Sequence, residues 1–500
     1  MKSLGFGLLV LGLIAAGIAA SVYGSGGVGL AIAAPAIAAL LFAAWRLPLR
    51  ISMLAVAAAA LTLENPADVP AQGLFRSPLY TLGALLLAHL NVTLPSRALI
   101  FSGLDLVLVY LVLIAATRAL SASTKSAAAP PSSQWLATCA ALVLGCVAAM
   151  WAYGMARGDA DVASSLWQVQ RMVYLPVVFL LFRAAFATGA SLQACAGVLI
   201  ASAVAKSMMA IYVHATVALP PGQTELAYAT THADSMLFAD AGCVIVATLA
   251  HAELSRRTRA LLLATIPLLV AAMVANHRRL VWVELAIGLA VVIALSPSTR
   301  RSRALSRASI VASPVALIYA AAGWGSSAGV FAPVQTLRSV VDSSADGSTN
   351  WRDWENYDLV YTVRTHPILG TGYGHGYDEL VRLPDISASY SLYRYIPHNS
   401  ILAMWAHGGL LGFSLLSVLF VVAIFLGART ARLAVAPSER AGAISALVVV
   451  VVYLVHCYGD MGLGTWTAVF TVAPALAITG RLWANVGGAR ANATAGRGPR

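Results

Sequence analysis

The chain has 500 residues, of which 59% are hydrophobic and only 10% charged, and its mean hydropathy is +0.80. An average soluble domain carries roughly 25% charged residues, so this composition excludes a soluble enzyme. The formal charge of +12 sits in short basic runs between apolar segments, which is the pattern of topogenic charge and not the basic face of a nucleic-acid binder.

A membrane span needs ~20 predominantly apolar residues. Runs of this kind lie near 4–22, 27–46, 50–63, 99–117, 135–153, 172–187, 191–213, 236–253, 259–275, 279–296, 308–322, 400–427, 441–458 and 465–482. The first follows Lys2 and exceeds the ~7 to 15 residue core of a signal peptide, so it reads as an uncleaved helix. An extra apolar stretch at 79–92, ahead of Pro95, reads as re-entrant or merged with its neighbour. The expected fold is an all-α polytopic bundle of about 12 to 14 spans. The five cysteines (Cys139, Cys146, Cys195, Cys243, Cys457) fall in or beside apolar runs, without zinc or disulfide spacing, and read as core.

Lysine and arginine in short loops resist translocation and so fix orientation. Arg256, Arg257 and Arg259 mark one cytoplasmic turn. Arg300, Arg301, Arg303 and Arg307 mark the next, and Arg429, Arg432 and Arg440 a third. The tail, with Arg481, Arg490, Arg497 and Arg500, is a fourth. The opposite face then receives 154–171, 214–235, the tight turn at 276–279 and the long connection 323–398. That connection reverses the charge balance, with eight Asp or Glu against five Arg. Four divisions follow: a transmembrane bundle at 1–322, a periplasmic cap loop at 323–398, C-terminal transmembrane helices at 399–484 and a basic cytoplasmic tail at 485–500. Within the cap, the spacing of Trp351, Trp354, Tyr357, Val360 and Tyr361 predicts an amphipathic helix over 351–364, its apolar stripe turned to the bundle. No inverted repeat of the transporter kind is evident.

Asn276, His277, Arg278 and Arg279 form the most informative short segment, because two arginines stand at an outer helix junction where the charge rule disfavours them. Guanidinium forks match phosphate oxygens, so the pair suggests a diphosphate site, against the plainer reading of arginines that reach lipid headgroups. Arg171 ends the outer loop 154–171 and begins the next span; it reads as a headgroup anchor, or as a third member of the pocket if the helix ends converge. His398 and Asn399 follow Pro397 where the cap re-enters the membrane. An imidazole there has the chemistry of a general base, and the competing reading is a helix-capping histidine.

Arg364 to Gly374 (Arg-Thr-His-Pro-Ile-Leu-Gly-Thr-Gly-Tyr-Gly), then Pro397-His398-Asn399-Ser400-Ile401-Leu402, then His407-Gly408-Gly409-Leu410-Leu411-Gly412, resemble in order and spacing the O-antigen ligase and polymerase superfamily. Arg278 and Arg279 look like that family's arginine at a helix junction, although many members carry Ser-Arg followed by a small residue there. Arg352 looks like its arginine near the start of the cap, and Gly459, Asp460 and Gly464 are similar to residues before its last span. The resemblance covers about the last 230 residues; the first 250 are similar only as a run of spans. It implies a GT-C-like, metal-independent, inverting glycosyltransferase of the bacterial inner membrane, in polysaccharide or lipopolysaccharide biosynthesis. The implied donor is an undecaprenyl diphosphate-linked glycan, and the acceptor is a glycan or glycolipid such as lipid A-core for a ligase, or a growing chain for a polymerase. His398 would be the catalytic base, and Arg278, Arg279, Arg171 and Arg352 would hold the diphosphate, with no cofactor and no metal. Donor and chemistry coincide for the two enzymes, and the reading leans to ligase.

Several signals carry less. Gly372, Gly374 and Gly376 lack dinucleotide spacing and read as a tight turn. Asp159 and Asp161 resemble a metal-binding pair but have no further ligands, and His214, His232, His366 and His375 are scattered without zinc spacing. A transporter of a polar lipid or solute is the competing class, with Lys206, Asp240 and Glu284 as its few mid-membrane ionisable residues. A structural scaffold would leave the outward arginines without a purpose.

Overall fold

The computed structural model describes residues 41–64, 100–122, 134–186, 192–216, 228–297, 300–326, 347–387 and 390–495, with single positions at 39, 83, 86–89, 328–331, 334, 335 and 338. Its helices are α1 (Leu49–Thr62), α2 (Gly103–Ala122), α3 (Gln134–Ala156), α4 (Val162–Ala185), α5 (Leu192–Thr216), α6 (His232–His251), α7 (Arg256–Ala275), α8 (Leu280–Leu295), α9 (Arg300–Gly323), α10 (Gly347–Thr365), α11 (Ser400–Leu433), α12 (Pro437–Gly459) and α13 (Trp466–Ala495). Among the described residues there is no strand, only an isolated bridge between His89 and Ser102. Among the described residues nine helices (α2 to α7 and α11 to α13) are long and apolar enough to cross a membrane, and α1, α8 and Ile310–Gly323 are shorter apolar helices. The chain is a polytopic helical membrane protein, as its composition requires. The expected span at 4–22, most of that at 27–46 and most of the stretch at 79–92 lie outside the described residues.

α12 is the central post, packed against α6, α8, α11 and α13. Its Leu447–Val450 run is buried on every face, as a helix apolar all round must be. Its own Tyr453, with Phe238 on α6 and Phe470 on α13, is among the largest fully buried side chains.

The structure corrects two expectations. α4 begins at Val162, not near 172, so Arg171 lies well inside a helix and does not stand at its head. Asp161 caps it, accepting from the Ala163 amide (3.0 Å) and the Ser164 hydroxyl (2.6 Å). The added turns are polar (Ser164, Ser165, Gln168, Gln170) yet buried, because the cap covers them: Gln168 donates to the carbonyls of Tyr395 (2.9 Å) and His375 (3.3 Å) and accepts from the Gly374 amide (2.7 Å). A hydropathy pattern stops where polar residues begin, which is why the span looked shorter.

In the cap, the predicted helix forms as α10, but its faces are reversed. Trp354 and Tyr357 are 45% and 53% exposed, while Glu355, Asp358, Leu359 and Thr362 are fully buried. The buried acids are occupied: Asp358 accepts from the amides of Leu380 and Val381 (both 2.9 Å), and Glu355 takes two bonds from His398. Loop amides, together with a small apolar cluster of Leu359, Tyr377 and Leu383, hold this side of α10 inward.

α11 is broken at Gly409, whose φ of 58° and ψ of −163° lie in a region open essentially to glycine alone. The break frees the carbonyls of Ala406 and His407 and the amides of Leu410 and Leu411, which a continuous helix would pair with one another. The loop after α10 takes all four. Thr371 and Gly372 amides donate to Ala406 and His407 (3.0 and 2.9 Å), and Leu410 and Leu411 donate to Pro367 and Ile368 (2.8 and 3.2 Å). Gly370 and Gly372, both at positive φ, let the loop approach: a Cβ on Gly370 would stand 2.3 Å from the His407 carbonyl carbon. The glycine-rich run is a tight turn, and its job is to lock the cap onto α11.

Candidate active site

Four segments meet at the end of the bundle beneath the cap: the α7–α8 junction, the residues before α6, the α12–α13 connection, and α10 with the start of α11. Asn276 begins the assembly. Buried, it accepts from the amides of Ala229 (3.0 Å) and Thr230 (2.6 Å) and donates to the Thr231 carbonyl (3.1 Å) and the Ser235 hydroxyl (2.8 Å). That clamps the head of α6 to the α7–α8 junction. The next residue, His277, adopts a φ of 51°, and its ring lies 5.5 Å from that of His214.

Arg278 then lies over the Tyr228 ring, 3.8 Å from its centroid, and donates to His232 Nε2 at 2.7 Å and to the Thr230 carbonyl at 3.4 Å. Its buried Nε has no hydrogen-bond partner. With Nε2 accepting, His232 directs its protonated Nδ1 to Asp460 Oδ2 at 3.5 Å. On the far side of Asp460, Arg352 stands 4.0 Å from Oδ1 and donates to the Gly459 carbonyl at 3.2 Å. Arg278, His232, Asp460 and Arg352 therefore form one connected row.

Burial lowers the Arg278 guanidinium to about 10, which leaves it charged at neutral pH. Burial by itself would raise the Asp460 carboxyl, but His232, Arg352, His456 and the Met461 amide outweigh it and hold Asp460 well below the usual carboxylate range.

α10 carries the row to His398. Arg352 and Glu355 are three residues apart and so share a face of the helix. Glu355, fully buried, accepts from the His398 amide (3.0 Å) and from its Nδ1 (3.3 Å). Trp351 and Tyr390 stand edge-on to the imidazole at 5.2 and 6.2 Å. Asn399 caps α11 through the Leu402 amide (3.0 Å) and ties it to Asn356 on α10 (3.0 Å). Ser400, one residue on, donates to the Asp460 carbonyl at 3.2 Å. Arg171 approaches the same region from α4. Its side chain lies along Gly464, where a Cβ would come within 2.6 Å of its Cγ, and with Pro397, Ser400 and His407 it lines a small cavity of about 40 Å³.

The fold thus brings together His398, Arg278, Arg352 and Arg171. Arg279 takes the N-cap position of α8 without a side-chain cap bond, and it is Arg278 that enters the row. His232, set aside in the sequence as a scattered histidine, links Arg278 to Asp460. Glu355 gave no signal in the sequence. Asp161 is a helix cap and His407 bonds Thr371 (2.8 Å), so both are structural. Among the described residues no group of three or more His, Cys, Asp or Glu side chains is placed to hold a metal.

Residues 261–417 match the family model described as O-antigen ligase. This stretch, about a third of the chain, is similar to that family. The matched stretch runs from α7 through Arg278, Arg352, Glu355, the glycine turn and His398 to the kinked part of α11. His232, Asp460 and Arg171 lie outside it and reach the site through the packing of α4, α6 and α12. A comparison with curated proteins found no match.

Proposed function

We propose that the chain transfers a glycan from an undecaprenyl diphosphate carrier to a sugar hydroxyl of an acceptor glycolipid of the lipid A-core class, working at the periplasmic face of the bacterial inner membrane. The O-antigen ligase match supports the ligase or polymerase class in general, and the alternation of arginine runs supports the orientation. The observation that carries the reading is the placement of His398, its Nδ1 bound by Glu355, beside a row holding Arg278 and Arg352.

The chemistry follows from that placement. A carboxylate only accepts, so Glu355 keeps the proton of His398 on Nδ1 and leaves Nε2 as an acceptor. The acceptor hydroxyl oxygen bonds to C1 of the donor sugar on the face opposite the diphosphate, and its proton passes to Nε2. The bond from C1 to the diphosphate oxygen breaks, the electron pair leaves with the diphosphate, and the configuration at C1 inverts. Arg278 and Arg352, with Arg171 and Arg279 nearby, stabilise the charge gathering on the leaving oxygens, an effect of about 2.7 to 4 kcal/mol per well-placed donor. Three guanidiniums (Arg171, Arg278, Arg352) face two carboxylates (Glu355, Asp460), and this excess of positive charge suits an anionic headgroup. The transporter reading loses support because Lys206, Asp240 and Glu284 are all buried, with Lys206 paired to Asp234 (3.3 Å) and Glu284 to His456 (2.8 Å).

The test is glycan transfer by purified protein given lipid-linked donor and acceptor. His398→Ala is expected to abolish product while thermal unfolding stays near that of the parent; unchanged turnover overturns the mechanism. Mass analysis of lipid products in a deletion strain separates loss of capped lipid A-core from loss of chain length.

A further inference from the structure

The loop that locks onto α11 presents an apolar tip with no part in the site. Ile368 and Leu369 are 62% and 46% exposed, although the backbone on which they stand is held by the hydrogen bonds to Leu410 and Leu411. The tip is therefore a fixed part of the flank of α11. That flank faces lipid: α11 is a candidate span, and Leu410, Leu411, Leu415, Val421 and Phe425 are exposed along it.

Depth follows from the helix rise. From Arg429 back to Leu411 is about eighteen residues, or about 27 Å at 1.5 Å each, close to the ~30 Å thickness of the hydrocarbon layer. Arg429 is exposed, with its guanidinium 5.9 Å from the Phe425 ring and 5.7 Å from that of Trp483, an arrangement suited to one headgroup boundary. Leu411, and the tip bonded to it, then stand at the opposite boundary. No acidic residue occurs between Pro367 and Tyr377 to oppose contact with hydrocarbon. Trp354 and Tyr357, exposed on the helix leading into the tip, are residue types favoured at the membrane surface.

We infer that the Ile368–Leu369 tip is a membrane anchor of the cap, seated among acyl chains just inside the headgroups of the leaflet on the cap side. The inference needs only that the chain spans a bilayer and is independent of the transferase reading.

Variants Ile368→Cys and Leu369→Cys test it, each with one accessible cysteine, built on Cys195→Ala because the other four cysteines are buried. Each is labelled with an environment-sensitive fluorophore in phosphatidylcholine nanodiscs. Phe425→Cys is the lipid-facing control and Asp385→Cys, in an exposed part of the cap, the aqueous one. Both tip labels are expected to emit to the blue of position 385 and to be quenched several-fold more by lipid carrying a nitroxide near the headgroup than by one near the chain end. They should also be several-fold less sensitive to iodide than position 385. Iodide quenching equal to that at position 385 overturns the inference, as does shielding from both quenchers, which would put protein over the tip. If one variant fails to fold, the neighbouring position gives the same reading.

Discussion

Replacing Glu355 with glutamine tests the site at its least exposed point. The side chain is fully buried and keeps its shape, so its bond from the His398 amide survives through the amide oxygen. The NH2 group of glutamine, however, now meets Nδ1 of His398, and the imidazole has to accept there. Its proton moves to Nε2, and the atom assigned to receive the acceptor's proton is no longer free. A hydrogen bond to a charged group contributes about 1.5 to 3 kcal/mol, which corresponds to a loss of roughly 10- to 150-fold in rate. Inverting the tautomer in a Ser-His-Asp triad costs about 10⁴-fold, which sets the upper end. We expect Glu355→Gln to lower kcat by about 10- to 10⁴-fold, with the donor KM and the unfolding temperature close to the parent's. The assay is steady-state transfer in nanodiscs with thermal unfolding alongside. A kcat within about threefold of the parent, while His398→Ala is inactive, would refute the argument that Glu355 sets the tautomer.

Arg278→Lys keeps the charge but loses both the fork and the stack on Tyr228, so the dissociation constant for a lipid diphosphate in a binding assay should rise about tenfold or more. Asp460 has a lowered folded pKa, so the stability it contributes is complete above the unfolded value near ~4 and is lost as pH falls through the folded one. The gap in melting temperature between the parent and Asp460→Asn should be constant from about pH 5 to 8 and shrink below about pH 4. Gly409→Ala places a Cβ 2.3 Å from the Ile368 carbonyl carbon in a conformation closed to alanine and should cost about 3 kcal/mol or more, read as a fall in melting temperature. Gly412→Ala is its control, meeting only the flexible Met150 thioether at 3.0 Å.

The bundle was legible in the sequence because a span announces itself by composition over ~20 residues, and each run that falls wholly among the described residues became a helix. Arg278, Arg352 and His398 were legible for another reason: each stands where a polar residue looks out of place or beside a recognisable glycine and proline pattern. Glu355 and His232 were not. A buried glutamate in a helix rich in charge looks like one more solvated acid until its partner 43 residues away is known. His232 stands among histidines without metal spacing, and spacing does not register a residue that links an arginine to an aspartate.

The reversed faces of α10 and the early start of α4 have one cause. Periodicity assumes that apolar groups turn inward and polar ones outward, which holds where nothing in the interior needs a hydrogen bond. Under the cap that condition fails, because the loop from Pro367 to Tyr395 brings its own backbone groups into the interior and each needs a partner. Gln168 and Asp358 supply them from the helices, and the broken turn of α11 supplies four more. Arg171 is drawn into the same region because α4 is extended beneath the cap by those polar turns. A cap fastened by polar groups needs only the small apolar cluster of Leu359, Tyr377 and Leu383 against Ala406, and so leaves Trp354, Tyr357 and Ile368 free to face outward.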